Sequence, residues 1–309
     1  MGGFFGNNCS FYTLIHLDNK HKALWALAAI SFLWGTTWFV SKLIVSNMPP
    51  LQMAGLRQTI AGLIVVIYFL LKGAAVPKSR DLLFYVFLGF LLISCSNGLT
   101  TWAIKFIPSY LGALISALMP FVMILANFLF FKEKISRWAL FGLIIGFSGV
   151  LFLLSSFFEE LNNSNFIFGV LLTLVGVCTW TTGTLLTIRN KRNLDPYTGI
   201  GWQMLFGGLI LYFASWVGGQ QVPLRTVPLQ TWGLIAYLIA VGSIICFMCY
   251  LYALKYLPMG MVSIYVYMNP LVALLMGILF LNEKLTFSIV VGALTILVGI
   301  YFVKRGTKS

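Results

Sequence analysis

Between residues 24 and 303 the chain passes through ten nearly continuous apolar runs: 24–46, 53–71, 82–102, 109–131, 138–157, 166–187, 199–217, 232–252, 259–281 and 287–303. A helix needs about 20 such residues to cross a hydrocarbon core of roughly 30 Å. The runs are continuous, whereas barrel strands would alternate over segments of about 10 residues, so the pattern predicts helices. With 60% hydrophobic and 9% charged residues and a mean hydropathy of +0.95, the chain lacks the polar surface of a soluble globule. The expected fold class is an all-α integral membrane protein with ten transmembrane helices.

The second half of the chain repeats the first. Residues 103–150 align without a gap on 253–300, pairing Lys105 with Lys255, Pro108 with Pro258, Pro120 with Pro270, Glu133-Lys134 with Glu283-Lys284, Gly142 with Gly292 and Gly149 with Gly299. Earlier helices correspond at an offset of 146, pairing Trp34 with Trp180, Pro50 with Pro196, Gly55 with Gly201 and Gly62 with Gly208. The four additional residues of the second half fall in the loop 218–231, where insertions are tolerated. Each half thus holds five helices. After an odd number of crossings the second copy starts on the opposite side, so the repeats are expected to be inverted. The division expected is a leader at 1–23, a first repeat at 24–158, a second at 159–304 and a tail at 305–309.

A net charge of +13 would suggest nucleic acid in a soluble protein, but the charges sort by loop. Lys20, Lys22, Lys72, Lys78, Arg80, Lys132, Lys134, Arg137, Arg189, Lys191, Arg192, Lys255, Lys304, Arg305 and Lys308 fall on one side. The alternate loops hold Lys105, Arg225 and Lys284, with Glu159 and Glu160. The positive-inside bias then puts both termini in the cytoplasm, with membrane lipids as the partner of the surplus and no nucleic acid. Cys246 and Cys249 have redox-motif spacing but lie inside an apolar span, where core packing is the expected role. Residues 1–23 have no positive charge ahead of an apolar core, as a cleaved signal would. They read as a leader without fixed structure or as sequence ahead of the true start.

All the acidic residues, Asp18, Asp81, Glu133, Glu159, Glu160, Asp195 and Glu283, fall at loops or helix ends, and His16 and His21 precede the first span. A proton relay through a buried carboxylate, a magnesium enzyme with paired carboxylates and a zinc site all lack their ligands. No cofactor, metal or catalytic residue is expected. The polar residues inside the spans are the candidates for a substrate site: Trp34, Thr37, Lys42, Arg57, Asn97, Trp180, Gln203, Tyr265 and Asn269. For each, hydrogen bonding between helices is the competing role. Lys42 and Arg57 flank the turn containing Pro49 and Pro50. They either snorkel toward headgroups or form an electropositive spot whose partner is a substrate anion or backbone carbonyls. Trp34-Gly35-Thr36-Thr37 and Trp180-Thr181-Thr182-Gly183 place aromatic, hydroxyl and small residues at matched positions, as a shared cavity would need. Pro120 and Pro270, expected near the middles of matched helices, mark static kinks or gating hinges.

These features resemble, in their order, the EamA-type permeases of the drug/metabolite transporter superfamily. The resemblance rests on Phe32-Leu33-Trp34-Gly35 through Lys42, then Pro50 and Arg57. It rests also on the twice-repeated succession of proline after an Ala-Leu-Lys-like segment, mid-helix proline, Glu-Lys turn and glycine-spaced helix. It covers residues 24–304. It implies an inverted five-plus-five repeat, cytoplasmic termini and alternating access around a central cavity. It further implies export or exchange of small metabolites, often amino acids and their derivatives, across a bacterial inner membrane. Four-helix multidrug members of the superfamily carry a glutamate in their first helix. This chain has none there, so proton-coupled efflux of cationic drugs is not expected. The expectation is a secondary permease for a small molecule, not an enzyme. A single chain suffices to enclose a cavity, and a dimer is equally compatible. The alternatives are a passive channel and a membrane enzyme acting on lipids.

Overall fold

The computed structural model describes residues 7–306 apart from 133, 156, 191–193, 258, 263, 282, 284 and 285, and of 7–18, 161, 259, 260 and 304 the backbone alone. Glu133, Pro258, Lys284, Lys191, Arg192 and Lys308 lie outside the described residues, as do the side chains of Cys9, His16, Asp18 and Lys304. Among the described residues the chain is helical with no strand. Eight helices have the length and apolarity to cross a membrane, the first over Asn19–Ile44 within α1 (Asn7–Ile44). The others are α2 (Pro50–Leu71), α3 (Ser79–Ala103), α4 (Ser109–Phe131), α5 (Arg137–Ser155), α6 (Ser164–Arg189), α7 (Pro196–Val217) and α8 (Leu229–Tyr256). The last two apolar runs form shorter apolar helices, α9 (Tyr265–Leu281) and the apolar part Phe287–Val303 of α10 (Phe287–Gly306). Met259–Val262 forms a separate short helix, which shortens α9 relative to the expected run. Helical backbone reaches back to Asn7, into the stretch expected to be an unstructured leader, because no proline or glycine interrupts 7–24.

Local chemistry explains the helix ends. Pro50 and Pro196 open α2 and α7 at the first turn, where the missing N–H costs nothing, and Asp195 caps α7 by accepting from Thr198 N at 2.8 Å. Gly73 and Gly219, which correspond at the offset of 146, reverse the chain after these two helices with φ of 86° and 64°. Two stretches are wound as π-helix, Gly89–Gly98 in α3 and Leu238–Ile245 in α8. They fall at overlapping positions of the repeat, and the sequence reading did not anticipate them. Pro120 is a correction. The helix breaks at Ala117–Leu118, so Pro120 stands in the first turn of the segment Met119–Phe131 and not in mid-helix. Pro270 does lie inside its helix.

The packing pairs helices across the two halves. α1 packs on α8 and α9, α6 on α3 and α4, α2 on α8, α7 on α3, α2 on α7 and α5 on α10. Exchanging each helix for the one five places away maps these eight pairings onto one another, although α1 also packs on α4 without a matching contact of α6 on α9 among the described residues. Of the eight, α2 on α7 and α5 on α10 are the tightest, and glycines make them so. A Cβ on Gly142 would stand 2.5 Å from Gly299 O, and one on Gly299 2.6 Å from Gly146 N. One on Gly62 would stand 2.2 Å from Leu205 N, and one on Gly208 2.3 Å from Thr59 N. Without a hydrophobic drive between helices in lipid, close approach of backbones supplies the dispersion contact that holds them. The outer surface is correspondingly apolar, with Leu151, Ile144, Phe213 and Phe287 each more than half exposed.

The turn 104–108, between α3 and α4, is clamped from two sides. Lys42 Nζ, from α1, donates to Ile104 O at 2.5 Å and Ile107 O at 2.9 Å, satisfying carbonyls left open past the end of α3. Glu283 accepts from Ser109 N at 2.9 Å and from Ser109 Oγ at 3.2 Å, capping α4. Two variants test these packing arguments by thermal unfolding in detergent. Gly142→Val forces apart the backbones of α5 and α10 and should cost about 1–3 kcal/mol, the usual penalty of overpacking, whereas truncating lipid-facing Leu151 to alanine should leave the melting temperature nearly unchanged. Lys42→Met removes charged hydrogen bonds to the turn and should cost about 1.5–3 kcal/mol. An unchanged melting temperature would show that the turn holds without its clamp.

Candidate substrate cavity

A cavity of about 190 Å³ lies among α1, α2, α3, α4, α6, α8 and α9. Trp34, Thr37, Arg57, Asn97, Trp180, Tyr265, Asn269 and Pro270 all line it. Three other expected residues stand outside the lining. Lys42 is taken up by the 104–108 turn. Gln203 is buried at the contact of α7 with α3, where a Cβ on Gly89 would stand 2.5 Å from its carbonyl oxygen. Pro120 begins the second segment of α4, next to lining residue Met119.

Trp34 sits near the middle of its span and at the centre of an aromatic group. Its ring centroid lies 5.2 Å from Phe247, 5.6 Å from Tyr250 and 5.1 Å from Tyr265, and its Nε1 donates to Gly242 O at 3.0 Å. The acceptor belongs to the π-wound stretch of α8. The same stretch supplies Ser243, whose Oγ accepts from Arg57 Nε at 2.9 Å. One irregular segment therefore fixes both an aromatic wall and the cation of the cavity, in keeping with the frequent use of π-turns at functional sites. Ser243 and Gly242 were missed in the sequence, where the only signal is a Gly-Ser pair inside an apolar run.

The amides divide their duties. Asn97 Oδ1 accepts from Gln58 Nε2 at 3.2 Å, tying α3 to α2. Asn269, its amide assigned from the acceptors around it, donates to Ser31 O at 3.1 Å and to Tyr265 O at 3.2 Å, tying α9 to α1. Pro270, inside α9, deprives the carbonyl four residues earlier of its usual donor. That carbonyl belongs to Val266, which lines the cavity. The cavity thus combines aromatic faces, backbone acceptors and a cation, with no carboxylate among the described lining residues. That set can bind and orient a small polar molecule. It contains no acid–base pair or nucleophile–base pair.

Comparison with known proteins agrees with this architecture. The sequence profile of the EamA-like transporter family matches residues 21–155 and again 167–305. YedA of Escherichia coli (strain K12), named as an inner membrane transporter, is 32% identical over 255 residues, covering 82% of this chain and 80% of that protein. The transporter YvbV of Bacillus subtilis (strain 168) is 27% identical over 94% of each chain, and protein PecM of Dickeya dadantii (strain 3937) 27% identical over 85% of this chain and 86% of its own. A solved crystal structure with 16% identity superposes with a TM-score of 0.63 over 92% of this chain and 97% of its own, a likeness of fold. The chain belongs to the EamA-like transporter family and is a multi-pass membrane transporter.

Proposed function

We propose that the protein is a secondary permease, without enzymatic activity, that exports or exchanges small metabolites such as amino acids and related compounds across a bacterial inner membrane. It works by alternating access around the cavity described above, with its ten apolar helices crossing the membrane as two inverted five-helix repeats, 24–158 and 159–304. The leader and tail lie in the cytoplasm. Three observations support the inverted repeat: the eight helix pairings that map onto one another, the matched chain reversals at Gly73 and Gly219, and the π-wound stretches in corresponding helices. The observation that carries the functional reading is the cavity itself. Helices from both halves enclose it, and its polar groups sit in spans whose outer faces are apolar. At about 190 Å³ it is smaller than the roughly 300–1,000 Å³ of drug-sized pockets, which favours molecules of amino-acid size.

Movement around such a site needs helices that bend. Pro270 lies inside α9 between lining residue Asn269 and buried Val272, and the break at Ala117–Leu118 divides α4 beside the same cavity. These two places are the hinges of the proposed cycle.

The carrier reading is tested by comparing excreted metabolites of cells with and without the protein by mass spectrometry, then reconstituting it with whichever compound is enriched. Preloaded vesicles should accelerate uptake of the labelled compound. Uptake indifferent to the internal load would indicate a passive pore, and chemical conversion of the compound an enzyme. In the same vesicles, Pro270→Ala restores a backbone hydrogen bond to α9 and should slow exchange several-fold at unchanged half-saturation. A rise in half-saturation alone would instead place Pro270 in binding.

A further inference from the structure

Arg57 is the only charged residue among the described residues that line the cavity. It is 4% exposed, its Nε is bonded to Ser243, and its two terminal nitrogens have no hydrogen-bond partner among the described residues. A guanidinium keeps its proton in any protein and offers five donors in a rigid fork, so a buried one with a single bond is an incomplete arrangement. Its surroundings accommodate it without neutralising it. Gly242 leaves room for the fork, since a Cβ there would stand 2.9 Å from Arg57 Nη2 and 2.9 Å from Thr37 Cγ2. On the neighbouring helix, Asn97 gives its oxygen to Gln58 and keeps its amide nitrogen without a protein partner among the described residues. The cavity therefore presents donors from two helices and one uncompensated positive charge.

We infer that Arg57, set in place by Ser243 and Gly242 and joined by the Asn97 amide, is an anion subsite, and that the transported molecule presents a carboxylate to it. The inference rests on the permease reading and names the class of its substrate. The two terminal nitrogens match the two oxygens of a carboxylate, and charge-assisted pairs of this kind are the strong ones. A single fixed cation balances a single negative charge. A phosphate monoester would bring a second charge with no counterpart in the lining, which favours the carboxylate. The remaining walls, Trp34, Trp180, Phe247 and Tyr265, suit an apolar or aromatic body. With the acid group bound, the charge of the guanidinium is balanced when water is shut out. Empty, the site would close around a bare charge, which carries a heavy desolvation cost.

The test uses purified full-length protein in lipid nanodiscs and matched probes sharing one skeleton: 4-methylpentanoate, 4-methylpentanamide, 4-methylpentylamine, L-leucine, L-leucinamide and isopentyl phosphate, with the phenyl-bearing counterparts of each. Thermal unfolding is followed as each probe is titrated to millimolar concentration. Carboxylates should raise the melting temperature while amides and amines do not, and Arg57→Gln should abolish the preference. Ser243→Ala should weaken carboxylate binding about 10- to 100-fold, the usual worth of a hydrogen bond to a charged group, and Gly242→Ala should weaken it too, because its Cβ would crowd Arg57 Nη2. If Arg57→Gln does not fold, these two milder variants decide the matter. Equal stabilisation by amides, a carboxylate preference that survives in the variants, a preference for the phosphate, or no response to any carboxylate would each overturn the subsite. Counterflow of a metabolite without an acid group would overturn it while leaving the permease reading intact. Carboxylate binding lost in Arg57→Gln without any counterflow would do the reverse.

Discussion

A backbone in hydrocarbon must satisfy its own N–H and C=O groups, because no water is there to do so. Regular helix does this automatically, so the informative places are those where the helices depart from regularity. The carbonyls of the 104–108 turn are met by Lys42, and the first turn of α4 by Glu283. The π-wound stretch of α8 is met by Trp34 at Gly242 O, and the segment before Pro270 by Asn269 at Tyr265 O. Most polar side chains inside the spans are thus committed to backbone. Among the atoms left over are the terminal nitrogens of Arg57 and the amide nitrogen of Asn97, which belong to residues that line the same cavity, while Gln58 Oε1, Thr59 Oγ1 and Thr181 Oγ1 are buried without a partner among the described residues and lie outside its lining.

The same constraint explains why a cavity can persist at all. The described residues of α5, α7 and α10 contribute nothing to its lining. They are the partners in the two glycine-mediated crossings, α5 with α10 and α2 with α7, where backbones lie too close to admit a Cβ. Tight pairs of this kind supply packing that an interior gap forfeits. α2 serves both purposes: Gly62 is buried against α7, while Arg57, five residues earlier, lines the cavity.

Hydropathy made the apolar helices and their order readable, because burial from water is what it measures. The matched prolines and glycines made the repeat readable, because backbone geometry restricts which residues fit. What sequence concealed was the identity of partners. Lys42 and Arg57 look alike as cations beside one turn, yet the first is bonded to carbonyls, which leave no trace in a sequence, and the second to Ser243, nearly two hundred residues away. π-winding has no compositional signature either, so Gly242 and Ser243 passed as ordinary residues of an apolar run. Pro120 was placed in mid-helix because the apolar run is continuous through it, and hydropathy does not register the turn at Ala117–Leu118. Trp34, Asn97, Trp180, Tyr265 and Asn269 could be picked out as lining candidates because polar or amphipathic groups in a span must face either a partner or a cavity, and Trp34, Asn97 and Asn269 here do both.

The two halves differ where it matters most. Arg57 corresponds to Gln203 in the repeat, and each stands where its helix meets the π-wound helix of the other half. Gln203 is neutral and packed away, with Gly89 against its backbone, whereas Arg57 keeps donors on the cavity. On the inverted-repeat reading, a strictly symmetric pair would place two guanidiniums around one space of about 190 Å³. At a separation of about 8 Å and an effective dielectric of about 20, they would repel by about 2 kcal/mol. Such a site would demand a doubly charged ligand to settle it. A single arginine removes that repulsion and, on the proposed carrier reading, leaves one binding point that both conformations would share. On that reading, symmetry of the backbone would let the cavity open to either side with similar packing, while asymmetry of charge would select what it holds.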